Sequence, residues 1–125
     1  MQLRHPFGYL WLNIIVFYSA LIAGCLMAFS PNNMGLQPQM NDKLLHAFGF
    51  FVIAILSHLA HPDQRNILLI IGLALFGMAI ELIQAYLPYR TFSFWDWCAD
   101  VLGLLLYFLL LAKALMHLLS RDRIG

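Results

Sequence analysis

ILLIIGLALFGMAIELIQAYL, residues 67–87, is 21 residues long and carries one charge, Glu81. Its apolar residues run on without alternation, which excludes a half-buried strand. A helix crosses a bilayer in about 17–25 residues, so this run is long enough. In lipid only helices and closed barrels satisfy their own backbone polar groups, and an unbroken apolar run is the helical solution. Three more runs flank it. Residues 9–29 and the shorter 44–60 carry no charge, and 97–119 carries Asp100 and Lys113. The chain has 125 residues, 62% hydrophobic and 10% charged, with a mean hydropathy of +0.80. A soluble domain is about 45–50% apolar and about 25% charged, and one this small has too little interior for so much apolar surface. The fold expected is all-α, an integral membrane bundle of four transmembrane helices. These cover about 9–29, 42–60, 64–87 and 94–119 in a single domain, residues 1–125.

A formal net charge of +1 attracts no polyanion, so no nucleic acid is expected as a partner. Two cysteines make no disulfide framework. Residues 30–43 hold two prolines, one glycine and three asparagines and read as an irregular loop. His61-Pro62-Asp63-Gln64-Arg65-Asn66 reads as a polar turn with Asp63 as N-cap of the third helix. Pro88 ends that helix at Leu87. Ser93 and Asp96 have capping-box spacing, which starts the fourth helix at Phe94.

Basic residues set the orientation. Arg4, Arg65, Lys113, Arg121 and Arg123 fall on one side and Lys43 and Arg90 on the other, which places both termini in the cytoplasm. Ala28-Phe29-Ser30 loosely fits a signal-peptide cleavage site, and Pro31 directly after it argues against cleavage. Ile22-Ala23-Gly24-Cys25 resembles a bacterial lipobox, which would make Cys25 a lipidated N-terminus. Ala20, Gly24 and Ala28 also form a small-residue stripe suited to close helix packing.

With this topology the ionisable residues can be placed in depth. At 1.5 Å per residue, His46 lies roughly 7 Å below the outer end of its helix, Glu81 about 9 Å and Asp100 about 10 Å. Three such residues on three helices share one layer. Asp42, Lys43, Gln84 and Asp96 lie one turn above them. A charged group in a span costs about 2.5 kcal/mol or more, so it is seldom there without a role. His46, Glu81 and Asp100 are the candidate acid–base residues. Asp42, Lys43, Gln84, Arg90 and Asp96 are the candidate ligand-binding residues, with Arg90 best suited to a carboxylate or phosphate. Oxygen and nitrogen ligands also suit a divalent cation, but the spacing matches no metal motif, and no cofactor is predicted. The plain alternative is that these charges pair and tie helices together.

His5, His58, His61 and His117 read as interfacial. Tyr9 and Trp11 form one aromatic belt, and Tyr86, Tyr89, Trp95 and Trp97 the other, with substrate stacking on Trp95 or Trp97 a second use. Lys113 snorkels to the cytoplasmic surface. Cys25 and Cys98 lie at similar depth, as a disulfide or as two buried thiols.

The segment Asn41-Asp42-Lys43-Leu44-Leu45-His46-Ala47-Phe48-Gly49-Phe50 resembles the D-K-x-x-H segment of the VanZ-like family. Glu81-Leu82-Ile83-Gln84 with Pro88-Tyr89-Arg90 is similar to its E-x-x-Q…P-x-R segment. Ser93-Phe94-Trp95-Asp96 with Asp100 and Gly103 is similar to its S-x-x-D…N-x-x-G segment, with Asp100 where the family commonly has Asn. The likeness covers about residues 41–111. It implies a small multi-pass protein of the bacterial cytoplasmic membrane. The family takes its name from an accessory protein of glycopeptide-resistance clusters, associated with low-level teicoplanin resistance. The function expected is to bind or modify an envelope amphiphile at an outward-facing polar site: a lipid headgroup, a lipid-linked cell-wall precursor or a lipoglycopeptide. Partners are then the lipid bilayer and an anionic lipid or lipid-linked precursor. A structural or partner-binding subunit and a small proton-coupled transporter are the alternatives. Neither a reaction nor an oligomeric state is fixed by the sequence.

Overall fold

The computed structural model describes residues 10–31 and 39–121, with side chains described over 10–31 and 43–119. In chain order the elements are α1 (Leu10–Phe29), α2 (Gln39–Ala60), α3 (Asn66–Tyr86), α4 (Phe94–Leu106), a π-helical segment (Tyr107–Leu111) and α5 (Ala112–Arg121). No strand occurs among the described residues. Tyr107 and Ala112 keep right-handed helical dihedrals, so α4, the π segment and α5 form one continuous span. Four helices are long and apolar enough to cross a membrane: Leu10–Phe29, Lys43–Ala60, Asn66–Tyr86 and Phe94–Leu119. The protein is an all-helical membrane bundle, as its run lengths predict.

The helix ends follow local chemistry. Leu87 is extended, with ψ 133°, because Pro88 pushes it out of the helical region. At the other end of α3 the expectation fails. Arg65 holds the cap position without a side-chain bond, and Asp63 stays in a turn where the Gln64 N–H donates to the His61 carbonyl. α2 starts three residues earlier than expected, since the polar stretch 39–42 extends the helix beyond its apolar run. Ser93 caps α4 as expected, its Oγ accepting the Asp96 N–H at 3.3 Å.

The tightest seam joins α2 to α4. A Cβ on Gly103 would overlap the Ala47 carbonyl oxygen, so only glycine permits this approach. The close packing expected of the Ala20–Gly24–Ala28 stripe is not made at Gly24, whose Cβ position faces nothing within 4 Å. Phe17, Phe50, Ala54, Leu73, Leu104, Tyr107 and Phe108 build the core. Leu26, Met27, Leu75, Leu109 and Leu110 point outward, which suits lipid rather than water as the surrounding solvent.

Two side-chain readings are corrected and two are filled in. Cys25 and Cys98 are free thiols, each half-buried, the second of the two readings. Trp97 is not simply a belt residue: its indole N–H donates to the Ala74 carbonyl at 2.9 Å and pins α4 to α3. His58 is not interfacial but buried, with Nδ1 2.8 Å from the Tyr107 hydroxyl. His61 is held inside the protein's own bonding, donating from Nδ1 to the Ser57 carbonyl at 3.1 Å while Nε2 faces the Tyr18 hydroxyl at 3.3 Å.

Candidate functional site

The layer counted from the sequence closes into one centre. His46 on α2, Glu81 on α3 and Asp100 on α4 each offer a nitrogen or oxygen within 4.8 Å of the others. Glu81 is 0% exposed and Asp100 2%, so neither carboxylate is solvated by bulk water. His46 Nδ1 donates to Asp100 Oδ1 at 2.7 Å. Its Nε2 lies 3.8 Å from Asp96 Oδ2, and Lys43 Nζ lies 3.4 Å from Asp96 Oδ1. The result is a chain, Lys43–Asp96–His46–Asp100, running from a half-exposed ammonium inward to a buried carboxylate. Gly77 makes room for its inner end, since a Cβ there would stand 3.0 Å from Asp100 Oδ2.

Glu81 explains why Asp96 is available. In a full capping box the acid three residues past the cap accepts the cap residue's own N–H. Here Glu81 Oε2 takes the Ser93 N–H instead, at 3.1 Å. Asp96 is left to face Lys43 and His46. The other oxygen, Glu81 Oε1, is buried with no hydrogen-bond partner among the described residues. Buried polar atoms are nearly always paired, so this oxygen stands out among the buried groups.

Two predicted members are drawn elsewhere. Arg90 donates from Nε and Nη2 to the Ser30 carbonyl at 3.1 and 2.8 Å, and from Nη2 to the Met27 carbonyl at 3.2 Å. Gln84 donates to the Ala28 carbonyl at 2.8 Å, and the Tyr89 hydroxyl to the Phe29 carbonyl. The cause lies in α1. A helix leaves its last carbonyls unsatisfied, and Pro31 has no N–H for the Met27 carbonyl four residues back. These carbonyls are the negative end of the helix dipole, where a guanidinium is favoured. In this structure Arg90 and Gln84 thus anchor the end of α1. The Asp42 side chain lies outside the described residues.

A second buried polar group was missed by the sequence reading. His58 and Tyr107 pair between the C-terminal half of α2 and the start of the π segment, beside the buried Ser57. A signal was present: Tyr107 follows Asp100 by seven residues, two helical turns, and so shares its face. Single π turns within helices recur at functional sites.

Comparison with known proteins adds little. No family model matches the chain, and no solved structure matches it. It is 29% identical over 101 residues to an uncharacterized protein of the fission yeast Schizosaccharomyces pombe, a stretch covering 78% of this chain and 60% of that protein. The matched part of this chain therefore spans about 60% of the yeast protein's length.

Proposed function

We propose that the chain is a VanZ-like protein of the bacterial cytoplasmic membrane that binds or modifies an envelope amphiphile at the extracytoplasmic leaflet. The amphiphile is a lipid headgroup, a lipid-linked cell-wall precursor or a lipoglycopeptide. One observation carries the reading: His46, Glu81 and Asp100, from three separate helices, meet within 4.8 Å although each is expensive inside a span. The resemblance supplies the bacterial and envelope setting, and the basic residues supply the orientation, with both termini cytoplasmic. Asp100 orients the His46 imidazole for acid–base work, as a carboxylate does for a catalytic histidine. Lys43, half exposed at the rim, is the cation placed to meet an anionic headgroup, since Arg90 is committed to α1.

A second reading is a structural lock. It is favoured by the bonds themselves, since Lys43–Asp96 and His46–Asp100 join α2 to α4, and Glu81 joins α3 to the cap of α4. The transporter reading is weaker. Ala54 and Leu104, both 0% exposed, stand along α2 and α4 between the outer centre and the His58–Tyr107 pair. No polar trail joins the two layers through those positions.

Glu81→Gln separates the first two. The amide oxygen can still accept the Ser93 N–H. Under the binding reading stability therefore changes by less than about 1 kcal/mol while any effect on teicoplanin susceptibility is lost. Under the lock reading the Ser93 bond likewise survives, so melting and susceptibility both stay as in the wild type. Melting in detergent beside susceptibility decides. Thiol labelling of cysteines placed at positions 39 and 64 checks the orientation, and reaction of both from outside refutes it.

A further inference from the structure

We infer that His46, Glu81 and Asp100 form a binding site for a divalent transition metal ion, of which zinc is the representative. Two independent observations lead there. The first is the donor set: one imidazole nitrogen and two carboxylates from three helices, with ligand atoms mutually within 4.8 Å. The second is Glu81 Oε1, fully buried and without a hydrogen-bond partner among the described residues.

Charge points to a cation rather than an anion. Lys43 answers Asp96 at 3.4 Å, and deeper in, Glu81 and Asp100 share one layer with the His46 imidazole. With His46 neutral, a divalent ion balances these two carboxylates. Imidazole among the donors favours zinc and its neighbours over magnesium or calcium, which prefer oxygen alone. In a tetrahedral zinc site, bonds of about 2.0–2.2 Å set the ligand atoms roughly 3.3 Å apart. The present spread exceeds that by about 1.5 Å at most, within reach of side-chain rotation. A metal held by one ring nitrogen of His46 leaves the imidazole's single N–H on the other nitrogen, so a neutral His46 binds without net release of a proton. Gly77 and Ser93 act as positioning residues, the first by leaving space for Asp100 and the second by holding one Glu81 oxygen.

Three protein ligands leave one position open, as in catalytic rather than structural zinc sites. An anionic oxygen of a headgroup would fill it, and the neutralised centre would no longer repel one. That last step rests on the amphiphile reading above; the metal site does not.

The test uses the full, tag-free chain in lipid nanodiscs, stripped with chelator and titrated with Zn2+, with Mg2+ as control. The expected result is about one zinc per chain and a rise in melting temperature that chelator reverses. Glu81→Gln and His46→Ala are expected to weaken zinc roughly tenfold or more, while His117→Ala does not. Should either site variant fail to fold, Co2+ bound to the wild type decides. Visible bands of four- or five-coordinate cobalt support the site, and the weak spectrum of hydrated cobalt overturns it. Absence of zinc from the wild type, or equal binding by the folded site variants, also overturns it. Failure of the amphiphile reading looks different: zinc binds as described, yet neither zinc nor Glu81 alters envelope sensitivity.

Discussion

The outer centre and the inner His58–Tyr107 pair share two helices but end differently. The inner pair closes on itself, with one imidazole nitrogen and one hydroxyl at 2.8 Å in an apolar setting. The outer centre gathers carboxylates and leaves one oxygen without a hydrogen-bond partner among the described residues. Helices can be tied together with neutral groups alone, as the inner pair demonstrates. The charges of the outer layer exceed what that task needs, and the binding proposal rests on this excess.

Three substitutions test the contrast, in falling order of effect. Gly103→Leu drives a side chain into the Ala47 backbone and prises α2 from α4, on which both regions depend. It is expected to cost about 3 kcal/mol or more and to abolish folded protein in detergent. Retention of the wild-type melting curve would break the shared-seam account. Tyr107→Phe removes the hydroxyl and strands the His58 nitrogen. A loss of about 1–3 kcal/mol is expected, with zinc uptake at the outer centre unchanged. A change in zinc affinity would show that the two layers are coupled. Arg90→Ala frees the end of α1 at about 1 kcal/mol and leaves both regions as they are. If Arg90→Ala instead alters zinc binding or antibiotic susceptibility with little change in melting, Arg90 belongs to the site after all.

The sequence disclosed depth and hid reach. Counting 1.5 Å per residue from helix ends places His46, Glu81 and Asp100 in one layer, and rise is the one coordinate a single helix fixes alone. The Ser93 cap was legible for the same reason, being local. The bonds of Arg90 to α1 were hidden because a long side chain can turn to either of two neighbours, and its partner, the open end of α1, lies 60 residues away. Pro31 held the missing hint, since it denies the Met27 carbonyl its usual donor. His58 was misread because position near a helix end says nothing about which way a side chain faces. The π segment has no marker in Tyr107-Phe108-Leu109-Leu110-Leu111, a run as compatible with an ordinary α-turn.

The bond from the Ser93 N–H to Glu81 bears on how the chain enters the bilayer. α3 is the most apolar of the four spans by hydropathy, yet it carries a carboxylate that, inserted alone, meets only hydrocarbon. The N–H that bonds it lies in the chain that follows, at the threshold of α4. α3 and α4 are therefore favoured to partition into the membrane together, as a hairpin turning at Pro88–Arg90. Synthesis beyond Ser93 is then a condition for α3 to settle.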